Sequence, residues 1–254
     1  MLRFVTYLAP SLPEAMFAAV VEHTGRALGR PVVLAVEAEL SGPDPNGPDP
    51  FSAGAVDVGF MCAPSYVRLS AAEPPPVVPL AAPVFDDAGV DDRPVYYSDV
   101  IVRGDDPATS VADLVAARWG FNDPISLSGY HSLPSTVDRA RARHTGSHLR
   151  SIELIVGGEL DAAAIDSNVL AIRLRSEPGL RDEIRVVERL GPFPVQPVVA
   201  SSRLAGDELA ALTNALLGMH EDARAVADLE PFGLRRFVAV TPADYRDLAG
   251  AGLS

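Results

Sequence analysis

The residues with the clearest chemical promise lie in one stretch, Phe121-Asn122-Asp123-Pro124-Ile125-Ser126-Leu127-Ser128-Gly129-Tyr130. A short apolar strand, Arg118-Trp119-Gly120-Phe121, runs into Asp123-Pro124, which breaks it. Ser126, Ser128 and Gly129 follow, just ahead of a segment that reads as a helix. Hydroxyls and backbone N–H groups at a strand-to-helix turn converge on one point, where the partial positive charge of a helix start also lies. The matching guest is an oxyanion. A plainer reading makes Ser126 or Ser128 no more than an N-cap, and the stretch alone leaves both open.

Composition narrows the chemistry. The chain has 254 residues, 48% hydrophobic and 22% charged, enough for one large domain or two ordinary lobes. Its formal charge of −13 argues against nucleic acid and an anionic membrane surface as partners. A small anionic ligand stays open, because local dipoles and arginines set the field inside a cleft. All 21 basic residues are arginine. Without lysine there is no Schiff-base catalysis, no pyridoxal phosphate attachment and no P-loop lysine, and no cofactor is expected.

Cys62, the single cysteine, sits beside Phe60 and Met61 and reads as a buried, inert thiol. His23, His131, His144 and His220 show no metal-ligand spacing with the acids, so no metal site is expected. Gly129 lacks the G-x-S-x-G setting of a nucleophilic serine. No run approaches the roughly 20 apolar residues of a membrane span. Residues 1–9 read as a strand rather than an export signal, which places the chain as written in the cytoplasm. A start further upstream would make it periplasmic or extracellular.

The polar stretch needs elements to hold it. Strands over 2–8 and 32–36 flank a helix over 14–27 that Gly29 closes and Pro31 stops, an opening βαβ that implies a parallel sheet. Further strands are expected over 55–61, 77–81 and 96–103, with a short helix from about Tyr66 and an acidic, turn-rich connection over 85–93. Ser110 caps a helix through Ala117, and a basic helix carries Arg139, Arg141 and Arg143 on a solvated face. Ser147-His148 opens a helix through Val156, a strand over 160–166 follows, and 169–175 is helical. A strand over 184–188 meets a stiff connector, Gly191-Pro192-Phe193-Pro194; 195–200 is the last strand, ahead of helices near 206–217 and 221–229. The pattern is two βα-rich lobes, 1–92 with 200–254 and 93–199, and a cleft between them as the expected ligand site.

Five segments in register carry a resemblance over most of the chain: Ala55-Val56-Asp57-Val58-Gly59-Phe60 with Ala63-Pro64-Ser65-Tyr66-Val67, then Tyr96-Tyr97-Ser98-Asp99-Val100-Ile101-Val102-Arg103, the serine stretch, Gly146-Ser147-His148, and Asp161-Ala162-Ala163-Ala164-Ile165-Asp166-Ser167. Together they resemble the PhnD-like phosphate/phosphite/phosphonate-binding proteins of ABC transporters. The resemblance implies an α/β, two-lobed type II periplasmic-binding (Venus-flytrap) fold that closes on a small oxyanion, with an ABC-transporter permease as partner. It implies that Ser126, Leu127, Ser128, Gly129 and Tyr130 hold the ligand oxygens. Tyr96 and Tyr97 would add phenolic donors, Tyr66 and Tyr7 would approach from the first lobe, and His148 and Asp166 would face the ligand from the second. Leu149 stands where many relatives carry an acidic residue after the histidine, and Leu127 replaces a common threonine. Both departures argue against an aminoalkylphosphonate.

The implied residues make physical sense. Several neutral N–H and O–H donors bind a doubly charged oxyanion well without lysine. A carboxylate at Asp166 fits only beside a ligand amine, a protonated oxygen or His148. Plainer roles stand beside these. His148 can be a helix-start residue, Tyr66 a packing residue, and strand alternation lets one of Tyr96 and Tyr97 point inward.

The leading reading is a non-enzymatic solute-binding protein for a phosphate- or phosphonate-like anion, acting in transport or as a cytoplasmic sensor. The alternative is a cytoplasmic enzyme on the same fold, similar to menaquinone-pathway enzymes, acting on a small carboxylate with Asp166 or His148 as acid–base group. A strongly perturbed pKa at either would favour it. A third reading, a decayed site in a partner-binding module, calls for an apolar, filled cleft.

Overall fold

An apolar strand that turns through Pro10 and Pro13 into a helix sets the pattern of the chain. The computed structural model describes residues 1–86 and 90–250. In chain order the elements are β1 (Leu2–Thr6), α1 (Glu14–Leu28), β2 (Val32–Val36), β3 (Val58–Phe60), α2 (Ala63–Ser70), β4 (Val77–Phe85), β5 (Val95–Arg103), β6 (Trp119–Phe121), β7 (Arg143–His144), α3 (His148–Val156), β8 (Ala162–Asp166), α4 (Ser167–Ser176), α5 (Leu180–Glu183), β9 (Ile184–Pro194), β10 (Val198–Ser201), α6 (Gly206–Leu217), α7 (Ala223–Leu229), β11 (Leu234–Ala239) and α8 (Arg246–Gly250). The acidic connection expected over 85–93 includes 87–89, which lie outside the described residues.

The chain forms two units, Met1–Val95 with Pro194–Ser254, and Tyr96–Phe193. The first carries a six-stranded sheet in the order β11-β4-β10-β3-β1-β2. β1 runs parallel to both β2 and β3, as the opening βαβ requires, whereas β10 enters antiparallel between β3 and β4. Its core gathers Phe4, Phe17 and Phe60, whose rings lie 5.1 to 6.4 Å apart. Gly29 ends α1 in the left-handed region (φ +60), a conformation that costs other residues strain. β10 is not the last strand: β11 pairs antiparallel with β4, because Leu234 and Phe237 bury against the sheet while Arg235 stays out.

The second unit has a five-stranded sheet, β7-β6-β8-β5-β9. β8 is parallel to β6 and antiparallel to β5. One face packs Val100, Val102, Trp119, Ala162 and Ala164 against Leu114, Leu133 and Val137. Three expectations change here. The helix expected from Ser110 is one tight turn, Val111–Leu114; Ser110 does stand at its N-cap, and Asp113 accepts from the Ser110 N–H (3.0 Å) and Oγ–H (3.1 Å). The basic helix does not form: the Asp138 carboxylate takes the Ala140 N–H (3.1 Å) and its carbonyl the Arg141 N–H (3.1 Å), a turn leading into β7. The connector 191–194 is part of β9, where a proline is tolerated because β9 is an edge strand.

Candidate functional site

β6 ends at Phe121 and the chain bends at Asn122-Asp123-Pro124. Asp123, 3% exposed, fixes the bend: one carboxylate oxygen accepts from the Ile125 N–H (3.0 Å) and the other from Asn122 Nδ2 (2.9 Å). Ser126 is extended (φ −71, ψ 131), and the next five residues, Leu127–His131, form a π-helical turn rather than a full helix. Its ladder runs from the His131 N–H to the Ser126 carbonyl (3.0 Å) and from the Ser132 N–H to that of Leu127 (2.8 Å). The Ser126 hydroxyl accepts from the Gly129 N–H (3.2 Å), so Ser126 does act as a cap.

Ser128 lies at the centre of a buried hydroxyl network. Its Oγ is 3.1 Å from His148 Nε2, and its carbonyl accepts from the hydroxyls of Ser98 and Ser132, each at 2.7 Å. The Ser132 hydroxyl also donates to Ser98 Oγ (3.1 Å). Sequence reasoning did not single out Ser98 or Ser132. The signal for Ser98 was strand alternation, since it shares a face of β5 with Tyr96.

His148 is the first residue of α3, whose cap Ser147 accepts from the Arg150 N–H (3.1 Å). Burial holds its imidazole down to about 3, against a smaller opposing effect of a hydrogen bond with the Ala164 backbone. The ring is therefore neutral at physiological pH, with one donor and one acceptor nitrogen. That perturbation is strong, but it moves away from neutrality, so it gives no support to an acid–base catalyst.

Asp166 closes β8 opposite Ser98 in the strand register. It caps α4, its Oδ1 accepting from the N–H groups of Asn168 (2.8 Å) and Val169 (3.4 Å). Tyr96 is fully buried on the Ser98 face, its ring 6.1 Å from Phe193. Tyr97 lies on the opposite face, under the Arg189 guanidinium (4.8 Å), which pairs with both carboxylate oxygens of Asp99 (2.7 and 3.0 Å). Tyr130 packs on Phe121 (4.9 Å), and Arg139 sits over its ring at 5.7 Å. Arg139 also donates to the carbonyls of Tyr130 and Leu133, so it ties down the end of the turn instead of lining a solvated helix.

Tyr7 and Tyr66 belong to the first unit. Tyr7 follows β1, its N–H bonded to the Phe60 carbonyl (3.0 Å), and burial, then Glu37 and Asp49, push its phenol up to about 12. Tyr66, 1% exposed in α2, meets Tyr245 edge-on at 5.0 Å; burial, and then Asp244, raises its phenol. Both stay protonated donors at physiological pH. The structure thus brings Ser126–Tyr130 together with His148, and Asp166 beside Ser98, within the second unit. Among the described residues no group of three His, Cys, Asp or Glu side chains could hold a metal ion, and no helix is long and apolar enough to cross a membrane.

Known proteins supply the context for this geometry. A family model described as the periplasmic substrate-binding protein of phosphonate ABC transporters matches residues 4–245. Among similar solved structures is a binding-protein component of an ABC phosphonate transporter from Pseudomonas aeruginosa, 15% identical, covering 98% of this chain and 84% of that one at a TM-score of 0.80. Another is PhnD1 from Prochlorococcus marinus in complex with methylphosphonate, 16% identical, covering 99% and 96% at a TM-score of 0.78. A Xanthomonas citri protein bound to ATP is 16% identical, covering 98% and 96% at 0.67. At these identities the likeness establishes the fold, the α/β two-lobed periplasmic-binding architecture.

Proposed function

The chain belongs to the family of periplasmic phosphonate-binding proteins of ABC transporters, and we propose that its serine-glycine turn captures a small phosphonate- or phosphate-like oxyanion for delivery to a membrane permease. One observation supports this best: Ser126, Ser128 and neutral His148 lie together, buried and uncharged, and the Ser126 hydroxyl, which accepts from the Gly129 N–H, keeps its own O–H to donate. Such donors hold a charged acceptor strongly without the desolvation cost of a buried cation. Gly129 lets the turn pack closely against Asn122 and His148, and Tyr130 and Leu127 shape the turn. Tyr96, Asp166, Tyr7 and Tyr66 are further candidate contacts, whereas Tyr97 lies on the face of β5 opposite Ser98. Periplasmic residence follows the family.

The family is one of binding proteins, which favours this reading over an enzyme acting on a carboxylate. His148 does not titrate near neutrality, so it is not set up for proton transfer at pH 7, and the Asp166 carboxylate is engaged in capping α4.

A thermal-shift and calorimetry panel tests the proposal: phosphate, phosphite, methylphosphonate, 2-aminoethylphosphonate and small carboxylates at fixed pH. A ligand at 100 times its Kd stabilises by about 2.7 kcal/mol. The expected result is a shift with phosphonates or phosphate that Ser126→Ala and Ser128→Ala each weaken. A shift with carboxylates alone would overturn it.

A further inference from the structure

Resting on the anion-binding reading above, we infer that Asn168 reads the protonation of the ligand, binding one protonated and one ionised oxygen of a monoanionic oxyacid through its carboxamide. Asn168 is the second residue of α4 and is 1% exposed. Its backbone N–H bonds to Asp166 Oδ1. Among the described residues, neither its Oδ1 nor its Nδ2 has a hydrogen-bond partner. Burying a carboxamide with both ends unmade is costly, and such groups persist where function uses them.

Position points the same way. α4 starts where β8 ends; Asp166 at that end pairs in register with Ser98, whose hydroxyl donates to the Ser128 carbonyl. Asn168 thus lies two residues beyond the β8 end whose register partner on β5, Ser98, joins the serine network. A carboxamide is uncharged, with a donor NH2 and an acceptor oxygen side by side. Its complement is a P–OH that donates to Oδ1 and a P–O⁻ that accepts from Nδ2, as in a hydrogen phosphonate or dihydrogen phosphate monoanion. Asp166 disfavours a second negative charge close by, and the chain has no lysine to offset one. A dianion without a proton, such as sulfate, leaves Oδ1 facing an acceptor and is rejected.

The test uses the full chain, calorimetry with methylphosphonate and with sulfate, and thermal unfolding of wild type, Asn168→Leu and Asn168→Ala. Wild type is expected to favour methylphosphonate over sulfate by about a hundredfold or more, as sites built for a ligand hydroxyl do. Both variants should lose about tenfold or more in methylphosphonate affinity. Asn168→Leu should unfold at or above the wild-type temperature, because it removes an unsatisfied buried amide. Equal affinity of wild type for sulfate and methylphosphonate overturns the inference. So does undiminished methylphosphonate affinity in the variants, or a lowered unfolding temperature in both, which would show the amide satisfied within the fold. Failure of wild type to bind any oxyanion is a separate outcome: it removes the anion-binding reading, and this inference with it.

Discussion

Gly129 has no room for a side chain. A Cβ there would stand 1.8 Å from Asn122 Oδ1, 2.9 Å from its Cγ and 3.1 Å from His148 Cε1. Asn122 is short, and its Nδ2 is held by Asp123, so it cannot swing aside without breaking the bend that aims the turn. Gly129→Ala is expected to cost about 2–4 kcal/mol in urea unfolding and to abolish oxyanion binding. A midpoint equal to wild type would show that the turn yields instead. His148 gives a second prediction. Burial lowers its pKa from 6.5 to about 3, so between those values the unfolded chain holds a proton that the folded chain lacks. Its contribution is complete above pH 6.5 and erodes as pH falls toward 3, by at most about 1.4 kcal/mol per pH unit. His148→Gln should flatten the fall in unfolding free energy between about pH 6 and 4 by part of that slope; an unchanged slope would refute the assignment.

Among the elements, the turn at Leu127–His131 depends on a residue that follows it. Arg139 donates to two carbonyls at its end and covers the Tyr130 ring. Arg139→Leu is expected to destabilise by about 1–2 kcal/mol. Hydrogen exchange should speed up over 127–133 and stay unchanged in the sheet of the first unit; uniform faster exchange would mean a global effect. This region also shows where sequence reading ended. α1 with its Gly29 stop and α3 with its Ser147 cap were legible because periodicity and capping chemistry agree. The segment over 134–143 was not, since its order comes from Asp138 and Arg139 bonding to backbone, which no periodic pattern records. The serine-glycine turn was legible from residue types. Ser98, Ser132 and Asn168 depend on the β5–β8 register and on three-dimensional pairing, which a single sequence does not state.

For the molecule as a whole, the two-block βα pattern was readable, and so was the charge that now yields a kinetic prediction. A formal charge of −13 repels an approaching anion, whereas the donors of the serine turn act only at contact distance. On the proposed reading, capture by neutral donors proceeds against the protein's own field. The Debye length falls from about 30 Å at 0.01 M salt to about 10 Å at 0.1 M, which screens most of that repulsion. Association of methylphosphonate, followed by stopped-flow, should accordingly speed up as a non-binding salt is added. The dissociation rate should change little, because the proposed contacts would be made by buried groups at hydrogen-bond distance. A site served by a funnel of arginines would slow down instead. Slower association with salt would place a local cationic field ahead of the net charge and would assign capture to arginines rather than to the hydroxyls and amides around Ser128.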